Sequence, residues 1–336
     1  MQHTDQPIQT STMRAVVQDR YGEAADVMRV AEIPRPTIAD DEVLLRVHAV
    51  GVDRGVWHLM TGLPLPLRLA GYGARAPNTP VRGREVAGRV EAVGRNVTTL
   101  SCGDEVFGIG EGCFAEYATA KAAKLAPAPA NLTPVQAAAV GISGLTALQA
   151  VRDRAAVRAG QRVLVIGASG GVGTFAVQLA KAFGAEVTGV CRAVNTELVR
   201  SIGADHVIDH TRVDIDAGGQ RYDVVIDTGG HRSLTCLRRA MTPRGTLVIV
   251  GSETGGRWLG GIDRLPRALL LSTFVGQTLR GVLASENTDD LHVLAELIEA
   301  GKVTPVVDAT YPLSRTPAAV EHMATGHPRG KVVVTI

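Results

Sequence analysis

The sequence holds no C-x-x-C pair: its four cysteines, Cys102, Cys113, Cys191 and Cys236, are scattered along 336 residues. That pattern excludes a disulfide framework and reads as reduced thiols in a cytosolic protein. Long apolar runs are missing too. The most apolar stretch, ALLLSTFVG (residues 268–276), falls far short of the ~20 residues a bilayer-spanning helix needs. Neither sign of charge dominates, the formal net charge being +2, and no basic run interleaves with aromatics. Nucleic acid and acidic membrane surfaces are thereby left without an electrostatic footprint. The opening MQHTDQPIQTST is polar and lacks the apolar core of a signal peptide. Residues 1–12 are expected to be a loose tail, and the protein cytoplasmic.

What is present is a globular composition, 45% hydrophobic and 20% charged, in a chain long enough for two domains. Its texture changes once. From Met13 to about Ala130 short β-like pieces such as MRAVVQD, DEVLLRVHAVGV and EVAGRVEAVG are cut by Gly, Pro and Asp turns, the texture of a partly open β-barrel. At NLTPVQAAAV a helix opens, with Thr133 as N-cap, Pro134 as first residue and Gln136 completing a capping box. From Arg162 onward, strands RVLVIG, AEVTGVC, HVIDH, YDVVIDTGG and GTLVIVGS alternate with helices expected at 172–183, 196–202 and 233–241. Val- and Ile-rich strands separated by helices specify a parallel doubly wound sheet. The closing KVVVTI is expected to return to the barrel.

The first of those strands runs into GASGGVG. Gly170 and Gly173 occupy the second and third glycine positions of a dinucleotide fingerprint, and Ala168 stands where the first would be. The turn Ala168, Ser169, Gly170, Gly171, Val172, Gly173 then presents a helix N-terminus to a pyrophosphate. A tight turn without a ligand is the competing reading, and three further strand–helix repeats count against it. The second strand ends in Cys191, Arg192, Ala193, Val194 and Asn195, without the acid that holds a ribose 2′-OH in NAD sites. Arg192 offers a guanidinium to a 2′-phosphate instead, with Lys181 of the first helix as a second cation for the same region and Asn195 as a further candidate contact. A solvated surface cation is the competing reading for Arg192 and Lys181, and the missing acid favours NADPH.

With these residues placed, the chain resembles the medium-chain dehydrogenase/reductase superfamily and, within it, the zinc-free quinone oxidoreductase-like branch. GDEVFG, GLTALQA, GASGGVG, LVRSIGADHVIDH and RGKVVV carry the resemblance. It implies an α/β architecture: a GroES-like β-barrel catalytic domain (residues 13–138 and 303–336) and a Rossmann doubly wound parallel sheet domain (residues 139–302). It also implies a homodimer built across the Rossmann edge, with a strand around TFVGQTL as the pairing edge. Zinc members hold their metal with a Cys, a His and a further Cys. At the matching positions this chain has Asp53 and Arg84, and no Cys lies near residues 140–143. No metal is therefore expected. Without a Lewis acid, the substrate is expected to be an intrinsically good hydride acceptor, a quinone or an α,β-unsaturated carbonyl.

The same resemblance carries over candidate site residues. Asp53 and Trp57 lie in the loop that lines the cleft in relatives. Asp53 reads either as a general acid raised by burial or as a salt-bridged or loop-capping residue beside Arg54. Tyr72 reads as a phenol for a developing oxyanion or, in preference, as a packing residue. Thr146 approaches the nicotinamide. Thr228 and Gly229, then Val250, Gly251 and Ser252, form the next cofactor-facing loops. Arg329 and Lys331 are further candidate contacts, with solvated faces as the default for such charges. Residues 60–80, rich in Pro, Leu and Gly, read as a substrate-side lid that makes the acceptor hydrophobic. A zinc-type alcohol dehydrogenase with unusual ligands and a non-catalytic NADPH-binding protein are the alternatives.

Overall fold

The computed structural model describes residues 11–66, 68–251, 258, 260, 261, 263–324 and 328–336. Most of the expected tail lies outside these residues, and from Thr12 the chain is already in a strand. β1 (Thr12–Gln18) and β2 (Met28–Pro34) pair antiparallel. β3 (Glu42–Val52), β4 (Glu85–Val93), β5 (Glu105–Ile109), β6 (Tyr117–Lys121) and β7 (Leu125–Pro127) build most of the barrel. β3 shows why: Val43, Leu45, Val47 and Ala49 are buried at alternate positions, so one face closes on a core while the other meets solvent.

β8 (Arg162–Ile166), β9 (Glu186–Cys191), β10 (His206–Asp209), β11 (Tyr222–Asp227), β12 (Met241–Ile249) and β13 (Thr278–Gly281) form one parallel sheet in the order β10-β9-β8-β11-β12-β13. That order is the doubly wound one, with its reversal beside β8. β14 (Val307–Pro312) and β15 (Lys331–Thr335) then rejoin the barrel, where β15 pairs antiparallel with β3. Barrel strands thus occupy residues 12–127 and 307–335, and the parallel strands lie between them. We propose the domain boundaries at 138/139 and 302/303, in the stretches that separate the two sheets.

The helix Gly141–Leu148 joins the domains. Its Leu145, Ala147 and Leu148 are buried in a core that takes Ala49, Ala87 and Phe107 from the barrel and Val163, Val165 and Phe175 from the Rossmann side. Just ahead of it the capping box forms as expected. Thr133 Oγ1 accepts from Gln136 N at 3.3 Å, and Gln136 Oε1 accepts from Thr133 N at 3.0 Å. One expected strand is displaced. TFVGQTL becomes strand only from Thr278, because Gln277 is tied by its amide to the carbonyls of Arg238 and Thr242. The short strand that remains is an edge of the sheet.

Thr133→Ala removes the cap and is expected to lower stability by about 1 kcal/mol, measured as a shift in the urea midpoint at constant m-value.

Candidate active site

A cleft of about 900 Å³ opens where the C-terminal ends of β8, β9, β11 and β12 face the end of β3 and the start of β15. In a doubly wound sheet that crevice is where ligands bind. Its centre is the glycine turn. The tight bend belongs to Gly167, whose φ is +78° and where a Cβ would lie 2.5 Å from Thr228 Oγ1. Ala168, expected in that role, instead turns a fully buried methyl toward Gly189. At Gly173 a Cβ would stand 2.0 Å from the Gly167 carbonyl oxygen, so helix and strand approach as only glycine permits.

Gly170 is the N-cap of the helix Gly171–Ala182 and provides no side-chain cap. The first N–H groups of that helix are thus left for an anion. The turn is also stitched to the barrel, since Gly330 N donates to the Ser169 carbonyl at 2.9 Å. Ser169, Gly170, Gly171 and Val172 all border the cleft.

One end of the cleft suits an adenosine moiety. Asn195 is buried there, with Nδ2 donating to Ser169 Oγ at 3.0 Å and Oδ1 bonded to nothing. Thr228 and Gly229 form one wall, Thr228 Oγ1 donating to the Ile166 carbonyl at 2.7 Å. Arg192 is exposed at the rim beside His210, which sequence reasoning did not single out. Backbone pairing explains the neighbourhood, because His210 N donates to the Cys191 carbonyl at 3.2 Å. Arg54, Arg192, Arg232, Arg329 and Lys331 border the cleft against a single lining acid, Asp53, among the described residues. Although Lys331 is answered by Glu85 and Arg232 by Asp214 outside the lining, the rim keeps an excess of cations. That imbalance suits a polyphosphate anion.

Lys181 does not take part. It sits at the far end of the Gly171–Ala182 helix, about 15 Å from the turn at 1.5 Å per residue, and pairs with Asp205 at 2.8 Å. Asp205 is fixed in turn by Val187 N at 2.7 Å.

The other end is lined by Val52, Asp53, Ile142, Ser143, Thr146, Val250 and Gly251. Thr146 Oγ1 donates to the Ile142 carbonyl at 2.7 Å. Ser252 lies outside the described residues. Asp53 caps the helix Arg54–Thr61, its Oδ1 accepting from Gly55 N at 2.6 Å and Val56 N at 3.3 Å, while Oδ2 is buried without a partner. Trp57 does not border the cleft. It packs against the barrel core, edge-on to His58. Tyr72 is exposed, its carbonyl accepting from Tyr21 Oη at 2.8 Å. None of the described residues in 60–80 lines the cleft, so the expected lid is not formed there.

Beneath the turn lies a group that the sequence disguised as a surface charge. Lys331 is buried, and its Nζ donates to Glu85 Oε2 at 2.5 Å, Ser143 Oγ at 3.1 Å and the Val52 carbonyl at 3.3 Å. Glu85 is fully buried, and Oε1 accepts from Ser143 N at 3.3 Å. Burial pushes the Glu85 carboxyl above the ordinary carboxylate range, with the Lys331 ammonium opposing it.

The donor set does not fit a zinc ion. Glu85 is committed to Lys331, and Arg84 Nη2 is held by Glu286 at 2.9 Å. Among the described residues no three His, Cys, Asp or Glu side chains converge to hold a metal.

Residues 39–130 match the family model of the alcohol dehydrogenase GroES-like domain, and residues 202–334 that of the zinc-binding dehydrogenases. The chain is 30% identical over 335 residues to the chloroplast envelope quinone oxidoreductase homolog of Arabidopsis thaliana, covering 96% of this chain and 98% of that one. It is 31% identical over 369 residues to a mitochondrial NAD(P)H oxidoreductase of Bos taurus, covering 97% and 90%. The solved quinone oxidoreductase of Coxiella burnetii superposes with a TM-score of 0.82 at 27% identity, covering 97% of this chain and all (100%) of that one.

Glu85→Gln strands the buried ammonium and is expected to cost about 3–5 kcal/mol in urea unfolding, most of which the double variant Glu85→Gln/Lys331→Met regains. Gly173→Val is expected to abolish nucleotide binding in equilibrium titration, because its side chain would drive the helix off the turn.

Proposed function

The chain belongs to the medium-chain dehydrogenase/reductase superfamily, in its quinone oxidoreductase-like branch, and from that membership we propose a zinc-independent, NADPH-dependent reductase of quinones or α,β-unsaturated carbonyls. Its relatives make it an oxidoreductase with a nicotinamide cofactor and a small-molecule substrate. The observation that carries the finer reading is the rim of the cleft, where Arg192 and His210 stand together and no acid borders the adenosine end. The Arg192 guanidinium forms no hydrogen bond or ion pair with the described residues, its carbonyl alone being engaged, by Asn195 N at 2.9 Å, so it is available to a 2′-phosphate.

When bound, the reduced nicotinamide supplies a hydride. The protein's own residues do the rest. The N–H groups opening the Gly171–Ala182 helix hold the pyrophosphate, with Arg329 at the mouth. Thr146, Val250 and Gly251 orient the ring end, and the domain core behind them excludes water. A conjugated acceptor spreads incoming negative charge onto its oxygen, so orientation and hydrogen bonding suffice where a simple carbonyl would need a metal. Of the three catalytic candidates only Asp53 borders the cleft, and we assign it to proton delivery. The acceptor we propose is a hydrophobic one, in keeping with Val52, Ile142 and Val250 at that end.

We also propose a homodimer resident in the cytoplasm. β13 is an open sheet edge, and beside it Leu269, Leu270 and Phe274 are 50%, 65% and 79% exposed. Two-fold pairing of that edge buries the same patch on both copies. No described helix is long and apolar enough to cross a membrane.

Consumption of NADPH and NADH against enones, enals and quinones, with oxygen excluded, tests the reading. NADPH is expected to be preferred, and Arg192→Ala to raise its KM about tenfold while sparing NADH. Preference for NADH, or equal loss for both, overturns the cofactor assignment. NADPH binding without oxidation of any acceptor identifies a non-catalytic protein instead.

A further inference from the structure

The helix Arg264–Ser272 has two unlike faces. Inward, Arg264 is 8% exposed. Its Nη2 donates to Asp227 Oδ2 at 2.5 Å and to the Arg232 carbonyl at 2.8 Å, and its Nη1 donates to the Gly251 carbonyl at 3.3 Å. These acceptors stand at the end of β11, in the loop after it and just past β12, three stretches that build one wall of the cleft. Asp227, fully buried, also receives Gly230 N at 3.1 Å on Oδ1, which closes the brace. A planar guanidinium spreads its donors over separate nitrogens held in one rigid plane, a reach that the single nitrogen of an ammonium does not reproduce. Outward, the helix and the turn after it carry Leu269, Leu270 and Phe274 into solvent. Leu265 packs so closely over β13 that a Cβ at Gly281 would lie 2.3 Å from its Cδ1.

We propose that this helix couples contact between two copies of the chain to cofactor binding, with Arg264 as the positioning residue. The inference rests on the homodimer reading above. A helix of nine residues with two of its four leucines, Leu269 and Leu270, in water is a weakly held element. Covering that face with a second copy favours the state in which Arg264 is docked. The nucleotide meets Gly251 and the loop from Thr228 to Arg232 in their bonding positions only in that same state. Two ligands that favour one state strengthen each other, and the effect is reciprocal.

The test is NADPH affinity, by titration of protein fluorescence, together with the dimer dissociation constant by mass photometry, both on the full chain. NADPH is expected to tighten the dimer about tenfold. Leu270→Glu/Phe274→Glu, monomeric and folded by circular dichroism, is expected to bind NADPH about tenfold more weakly. Arg264→Lys, or Asp227→Asn should the lysine chain fail to fold, is expected to bind weakly and equally as monomer and dimer. A dimer indifferent to NADPH overturns the coupling and leaves the homodimer standing. A chain that is monomeric at every concentration overturns both. Arg264→Lys with lowered Tm but unchanged affinity shows a purely structural arginine and also overturns the proposal.

Discussion

The ammonium of Lys331 and the carboxylate of Glu85, sealed together away from water, hold the two domains in register. Lys331 comes from the last strand, Glu85 from the middle of the barrel, Val52 from the strand between them and Ser143 from the helix that enters the Rossmann domain. Neither ion could be buried alone. Each is tolerated because the other is within bonding distance and the remaining donors are satisfied. The cleft exists because those four elements meet. Gly171, at the start of the phosphate-facing helix, would place a Cβ 3.0 Å from Lys331 Cδ, so the glycine turn and the ion pair need one another's geometry.

Around that anchor the cleft sorts its chemistry by position. Its adenosine end gathers cations and free helix N–H groups, and its far end is mostly aliphatic with Asp53, Ser143 and Thr146 as polar groups. Such a gradient orients a long amphiphilic cofactor before any substrate arrives. Arg264 performs on the Rossmann side the bracing that Lys331 performs between domains, again with a buried carboxylate as partner. Both are cases where a charge serves position, since a packed apolar pair would hold the core as well but could not aim three backbone segments.

Much of this was legible from periodicity and turn chemistry. The capping box at Thr133, the strand–turn–helix at GASGGVG and the alternation of Val-rich strands with helices were read correctly because each rests on contacts within a few residues. Misreadings cluster where side chains travel. Lys181 and Lys331 look alike in a sequence, yet one pairs with Asp205 on the surface and the other with Glu85 in the core. Trp57 belongs to the cleft by resemblance yet turns into the barrel, and Tyr72, a packing residue or an oxyanion donor on its sequence, is exposed instead. The tight bend falls on Gly167, one position before Ala168, and the positive φ that separates the two is a backbone property.

The amino-acid order by itself determined the class of fold, the phosphate turn and the missing acid after the second Rossmann strand, because hydrophobic period and glycine placement act locally. Only tertiary structure decided which charges are buried, which carboxylate answers which cation and which aromatic reaches the cleft. Those outcomes join residues such as Lys331 and Glu85, 246 positions apart, and the free energy of burying a charge depends on what the rest of the chain brings to meet it.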